Sequence, residues 1–293
     1  MPLFTGSGVA AAVAFNADGS VNFNAYEKFI NFLIENGTDA IVSCGTTGES
    51  ATLSDKEQFE LVKCAVSVSG GRVPVIGGAG SNNTEHAVHL AKQVKEAGAD
   101  ACLAVTPYYN KPTQKGLVMH FTAIAQAAEV PVILYNVPGR TACNIAPSTC
   151  AELAKVDNII GVKEASGNIV QIAEVAEHTG SDFLLYSGND DHIVPVLSLG
   201  GIGVISVLGN IMPRYTHDMV IKFLEGDVSA STKMQLEVLG LVRALFCETN
   251  PIPVKTALNL MGMDMGCFRL PLCEMSEPNL NILKKEMSKH GLI

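Results

Sequence analysis

Eight short apolar runs, most of them separated by stretches of helical periodicity, restrict the possible folds of this chain more than any other feature. They are Gly8–Phe15, Ala40–Cys44, Pro74–Ala79, Ala101–Thr106, Pro131–Val137, Ile159–Ala165, Phe183–Ser187 and Gly203–Leu208. Each has the length of a strand and the nearly unbroken aliphatic character of one buried on both faces. Between them, Tyr26, Phe29, Ile30 and Leu33 share one helical face. Ser54-Asp55-Lys56-Glu57 spells a capping box that opens a helix with Phe59, Val62 and Val66 on one stripe. Ala87, Leu90, Ala91 and Val94 repeat that spacing before Gly98, which stands as a helix stop. Pro147 and Pro213 fall where first helical turns begin.

Strand and helix alternating about eight times predicts a TIM barrel. The competing architecture is an open doubly wound sheet, which usually carries a glycine-rich nucleotide loop. Neither Gly77-Gly78-Ala79-Gly80 nor Gly200-Gly201-Ile202-Gly203 completes that pattern, and no G-K-[ST] occurs. The barrel is therefore expected over residues 1–224. From Gly226-Asp227 the alternation gives way to helical spacing, with Met234, Leu236, Val238, Leu239, Leu241, Val242 and Leu245. Asn250-Pro251-Ile252-Pro253 interrupts it before Val254–Met261, and a last helix runs from Pro278 to Lys289. Residues 225–293 are expected to form a C-terminal helical domain. No low-complexity linker precedes it, so it should pack rigidly on the barrel.

Composition narrows the partners. Trp is absent and aromatics make up 6%, so the core must be largely aliphatic. A formal net charge of −9, with Lys and Arg scattered, argues against a nucleic-acid surface. Met1-Pro2-Leu3-Phe4-Thr5-Gly6 has neither the basic start nor the apolar run of a secretory leader. No apolar run is long enough to span a bilayer, and a soluble, cytoplasmic protein is expected. The eight cysteines form no C-x-x-C pair and have no histidine at ligand spacing, which predicts reduced thiols and no metal site.

In a TIM barrel the reactive face is the carboxyl end of the strands. The run Ile159-Ile160-Gly161-Val162-Lys163-Glu164-Ala165 carries its one lysine there. Burial disfavours the charged form of an amine, and a neutral amine is what attack on a carbonyl requires. The alternative is a lysine whose stem carries its head out to water. After the second run, Gly45-Thr46-Thr47-Gly48-Glu49-Ser50 places two hydroxyls between glycines, a turn whose N–H groups can converge on a carboxylate or serve only as a structural loop. Thr106-Pro107-Tyr108-Tyr109-Asn110 follows the fourth run, and Tyr135-Asn136-Val137-Pro138-Gly139-Arg140-Thr141 ends the fifth. Two phenols and a threonine near one amine can pass a proton along a hydrogen-bonded chain. Arg140 offers a fork matched to a carboxylate, with a surface salt bridge as its alternative. Asp190-Asp191-His192 fits a helix start better than a metal cluster, since three consecutive residues cannot easily face one ion. His86 and His89 read as a solvated helix face. Neither H-E-x-x-H nor G-x-S-x-G is present.

These segments, together with Gly161-Val162-Lys163-Glu164 and Asn250-Pro251-Ile252-Pro253-Val254-Lys255, resemble the dihydrodipicolinate synthase family of pyruvate-dependent class I aldolases. The likeness runs from about Gly6 to the C-terminus. It implies a TIM barrel with a C-terminal helical domain, and a condensation of pyruvate with L-aspartate 4-semialdehyde that needs no cofactor. By resemblance, Lys163 forms the Schiff base, Tyr135 is the acid/base, and Thr46 and Tyr109 complete the relay. Tyr109 would reach in from a neighbouring subunit, which implies a homo-oligomer, most often a tetramer of two tight dimers. Thr47, beside Thr46, would hold the pyruvate carboxylate. Arg140 would bind that of the semialdehyde, and Gly188 and Ile205 would line the pyruvate pocket. The related alternative is a sialic-acid or keto-deoxy-sugar aldolase, whose neutral polyol aldehyde offers Arg140 no carboxylate. A non-catalytic keto-acid sensor is the alternative of another class.

Regulation departs from the pattern of lysine-inhibited members. Ser50, Ala51, Asn82 and Tyr108 match their allosteric pocket, but Asp55, Gln58 and His86 stand where other groups are expected. An ammonium ligand loses its main carboxylate partner where His86 replaces a glutamate. Weak or absent lysine inhibition is the expectation.

Overall fold

Strands that are apolar along their whole length need cover on both sides, and closing the sheet on itself inside a ring of helices supplies it. The computed structural model describes residues 2–293 and shows that solution. Strands β1 (Gly6–Ala10), β2 (Ala40–Ser43), β3 (Val75–Gly78), β4 (Ala101–Val105), β5 (Val132–Asn136), β6 (Ile159–Glu164), β7 (Leu184–Ser187) and β8 (Gly203–Ser206) form a closed parallel barrel in sequence order. The ring begins with α1 (Phe23–Glu35), α2 (Asp55–Ser69), α3 (Thr84–Glu96) and α4 (Gln114–Ala128). It continues with α5 (Pro138–Thr141), α6 (Pro147–Leu153), α7 (Ile169–Thr179), α8 (Ile193–Ser198) and α9 (Pro213–Leu224). Helices α10 (Val228–Leu245), α11 (Ile252–Leu260) and α12 (Glu277–Lys289) follow.

Side chains alternate across each strand, so the barrel has two apolar layers. Ala10, Val42, Ile76, Leu103, Ile133 and Ile205 fill the interior. Val9, Ile41, Val132, Val162 and Val204 face the helices. Phe4, ahead of β1, plugs the amino-terminal end. Its ring stacks on Tyr186 with centroids 4.4 Å apart, and the Tyr186 hydroxyl donates to its carbonyl at 2.8 Å.

Local signals hold where predicted. At the start of α2 the Ser54 hydroxyl accepts from Glu57 N–H, and the Glu57 carboxylate accepts from Ser54 N–H at 2.9 Å. A cap of this kind contributes about 1 kcal/mol. Pro147 and Pro213 occupy the first turns of α6 and α9. Most element bounds lie within one or two residues of the predicted runs, and the largest departure is at β1. The first strand spans Gly6–Ala10 rather than Gly8–Phe15. Residues 11–15 leave the ladder yet remain buried, with Ala12 N–H on Asn210 Oδ1 and Phe15 N–H on the Met265 carbonyl. An extended segment buried under later chain has the same apolar pattern as a strand. Helix α11 starts at Ile252 rather than Val254, because Pro253 lies in its first turn, where no N–H is needed. Among the described residues, no helix is long and apolar enough to cross a membrane.

Candidate active site

The apolar length of β6 forces Lys163 into the barrel. Its register partners are Tyr135 on β5 and Tyr186 on β7, so all three share the inner side of the sheet. Only 5% of Lys163 is exposed, and its Nζ lies 4.3 Å from the centre of the Tyr135 ring. Lys163 is therefore not a lysine snorkelling to water. Tyr135 itself is 7% exposed. Tyr186, the other phenol in this layer, is committed to Phe4, and burial pushes its hydroxyl well above the usual phenol range.

The next residue, Glu164, points outward and is also buried. It accepts from Asn136 Nδ2 at 2.9 Å and from Ser166 N–H at 2.7 Å. Burial raises its carboxyl above the usual range, and these hydrogen bonds oppose the rise. The pair locks the ends of β5 and β6, which carry Tyr135 and Lys163. Gly188 follows β7, and a Cβ there would lie 2.6 Å from Ala165 Cβ and 3.1 Å from Lys163 Cγ. Only a bare backbone fits against the lysine stem. Ile205 is buried in the same interior layer as Tyr135.

The Thr46-Thr47 turn follows β2 and is bracketed by two non-glycine residues in the left-handed region, Cys44 at φ 56° and Glu49 at φ 52°. Such backbone persists only where the surroundings enforce it. At Cys44 the approach is possible because its neighbour is a glycine: a Cβ on Gly78 would lie 2.0 Å from the Cys44 carbonyl oxygen. Burial pushes the Cys44 thiol up to about 12, leaving it a packing residue. Among the described residues, the N–H groups of Thr46 and Thr47 find no main-chain acceptor. Asn250 Nδ2 donates to Thr47 Oγ1 at 3.0 Å, so the Thr47 hydroxyl proton is free to point elsewhere. An anion beside this turn has donors waiting for it.

Arg140 lies on α5, exposed at the rim, and makes no salt bridge among the described residues. Instead both terminal nitrogens donate to the Asn250 carbonyl at 3.1 Å. Asn250 thus joins the Thr47 turn to Arg140, a connection that sequence spacing does not reveal.

Tyr109 is placed apart. It is 88% exposed with φ 74°, and Tyr108 beside it is 42% exposed. Within one chain the expected relay therefore lacks its second phenol. Ser50, Ala51 and Asn82 lie near the ends of the loops after β2 and β3, and Asn110 Nδ2 donates to the Asn82 carbonyl at 2.8 Å. His86 and His89 are more than a solvated face. They lie 2.9 and 3.6 Å from the two oxygens of Asp55, and His86 also meets Ser81.

Asp190 is buried and receives the Ser206 hydroxyl at 2.5 Å and the N–H groups of Val207 and Leu208 at 3.0 and 2.9 Å. It opens a single helical turn, as expected, and ties β7 to the end of β8. Burial raises its carboxyl, while these hydrogen bonds and the charge of Lys163 pull it down. Among the described residues no group of three His, Cys, Asp or Glu side chains is placed to hold a metal, and all eight cysteines are free. Surface cavities of about 360 Å³ beside α1 and about 330 Å³ between α11 and α12 include none of the candidate site residues.

The family model described as the dihydrodipicolinate synthetase family matches residues 3–290. A 4-hydroxy-tetrahydrodipicolinate synthase of Lachnoclostridium phytofermentans is 56% identical over 294 residues, covering 100% of both chains. One from Thermoanaerobacter sp. (strain X514) is 55% identical over 294 residues, covering 100% of this chain and 99% of its own. A crystal structure of a dihydrodipicolinate synthase superposes with a TM-score of 0.96 at 48% identity, over 99% of this chain and 100% of that one. With its length matched throughout, and with a buried lysine, a phenol and a threonine turn at the strand ends, the chain belongs to the dihydrodipicolinate synthetase family.

Proposed function

We propose that this protein condenses pyruvate with L-aspartate 4-semialdehyde to give 4-hydroxy-tetrahydrodipicolinate, the first committed step toward diaminopimelate and lysine. The observation that carries the reading is Lys163, buried at the barrel mouth with its nitrogen 4.3 Å from the Tyr135 ring. The amine attacks the keto carbon of pyruvate, and loss of water leaves an imine. Loss of a methyl proton gives an enamine, whose carbon adds to the aldehyde of the second substrate. The amino group of that substrate then closes the ring on the imine carbon and frees Lys163. Tyr135 is the acid/base for these proton transfers, aided by Thr46 and by Tyr109. Thr47 holds the pyruvate carboxylate, and Gly188 and Ile205 shape its pocket.

A homo-oligomer follows from the same reading, with a tetramer of two tight dimers as the specific proposal. Its support is Tyr109, an exposed phenol that lies outside the site of its own chain. Residues 225–293 are proposed as the second domain, and the cytoplasm as the protein's location.

Coupled turnover with both substrates tests the assignment. Aspartate semialdehyde should be consumed, and N-acetylmannosamine should not support turnover. Arg140→Ala should raise KM for the semialdehyde by about ten- to a hundredfold, the worth of a charge-assisted pair. Pyruvate labelling of Lys163 should persist in that variant. Unchanged KM for the semialdehyde would assign Arg140 to the Asn250 carbonyl alone.

Lysine should inhibit weakly. Asp55 is already engaged by His86 and His89, and Gln58 Nε2 donates to the Ser50 carbonyl at 3.3 Å. Initial rates should be insensitive to lysine below about 1 mM, which corresponds to about 4 kcal/mol of binding. Saturable inhibition at micromolar lysine would overturn this.

A further inference from the structure

The protein holds a second buried lysine. Lys255, on α11, is fully enclosed, and its Nζ meets Glu49 Oε1 at 2.8 Å, with both side chains at 0% exposure. The ammonium lies 4.1 Å from the centre of the Phe15 ring and 5.2 Å from that of Phe268. Arg269 N–H approaches the other Glu49 oxygen at 3.5 Å. Removing two charges from water costs several kcal/mol each, and an apolar replacement of similar volume often serves stability as well or better. A buried pair is therefore weak evidence for a purely stabilising role.

Its location suggests another role. Glu49 ends the Thr46-Thr47 turn in the left-handed region, and its N–H closes that turn on the Thr46 carbonyl at 3.1 Å. The Glu49 carbonyl accepts from Thr52 N–H at 2.9 Å and from Thr52 Oγ1 at 3.0 Å, and its carboxylate is anchored to α11 across 206 residues of chain. A carboxylate so close to an anion-binding turn would also repel the substrate if unpaired. The ammonium cancels that charge.

We infer that Lys255 and Glu49 are positioning residues for the reaction, an enclosed ion pair by which the C-terminal helices set the shape and the charge of the turn that receives the keto acid's carboxylate. The inference rests on the reading of the Thr46-Thr47 turn as the pyruvate site. Neither residue touches the reacting atoms. Their loss should act on the binding of the keto acid rather than on the chemistry at Lys163.

The test compares Glu49→Gln, Lys255→Met and the double variant in the full-length protein. Glu49→Gln keeps the volume and an acceptor for Lys255, so it carries the comparison should Lys255→Met fold poorly. Each folded single variant should raise KM for pyruvate by about tenfold or more, with kcat at saturating pyruvate changed by less than about threefold. The double variant, with no charge left buried, should recover most of the thermal midpoint lost by either single change. Its KM for pyruvate should stay raised, because the turn remains unanchored. A wild-type KM in Glu49→Gln, or a double variant that recovers midpoint and KM together, would reduce the pair to a structural role and overturn the inference. Borohydride trapping with pyruvate runs alongside. Absence of label on Lys163 in the unmodified protein would overturn the site reading itself, whereas label with an unmoved KM would overturn the positioning role alone.

Discussion

Lys163→Ala is expected to lower kcat by at least about a thousandfold, to the limit of detection in a coupled assay, because the proposed reaction loses the amine that forms the imine. Borohydride in the presence of pyruvate should add mass to the unmodified protein and none to the variant. The fold should survive, since truncation occurs at the mouth of the barrel and leaves the apolar layers beneath it intact. Far-UV circular dichroism and the thermal midpoint should therefore stay close to wild type. Lys163→Arg should be equally inactive, as a guanidinium remains protonated and cannot add to a ketone. Lys255 offers no substitute: it is fully enclosed and held by Glu49 at 2.8 Å. A labelled Lys255, or an active Lys163→Ala, would remove the nucleophile from the proposed scheme.

Tyr135→Phe is expected to lower kcat by about a hundred- to a thousandfold, within the range that a positioned acid/base contributes. The substitution keeps the ring, its contact with the Lys163 nitrogen and its place in the interior layer, and removes one oxygen. Stability should change little. Single-turnover labelling should separate the steps: the imine still forms at saturating pyruvate, more slowly, and release of product falls with it. A loss smaller than about tenfold would assign proton transfer to another group, with the Thr46 hydroxyl first in line. Tyr186 is not a candidate, because its proton is held by the Phe4 carbonyl.

The barrel was legible in the chain because its determinants are local. Strands buried on both faces are apolar along their whole length, and the helices between them carry stripes, a capping box and proline starts. Lys163 stood out for the same reason, as one charge in an aliphatic run. What sequence alone missed depends on partners far apart in the chain. Lys255 looks like an ordinary residue of an amphipathic helix, and nothing near it announces Glu49. Asn250 joins Thr47 to Arg140 through its side chain and its carbonyl, contacts that span 203 and 110 residues. Asp190 read as a helix start, and its grip on the far end of β8 appears only once β7 and β8 lie side by side. The first apolar run outlasts its strand because residues 11–15 are covered by the Met265 segment, and burial by distant chain leaves the same apolar signature as a ladder.

The plug formed by Phe4 and Tyr186 gives the reaction a direction. With one end of the cylinder stoppered, both substrates share a single doorway, and Lys163 lies deeper than Arg140 at the rim. In the proposed scheme the keto acid is therefore seated first. In that scheme the aldehyde, arriving second, is the cork that keeps water from the enamine, and product leaves by the way its precursors came in.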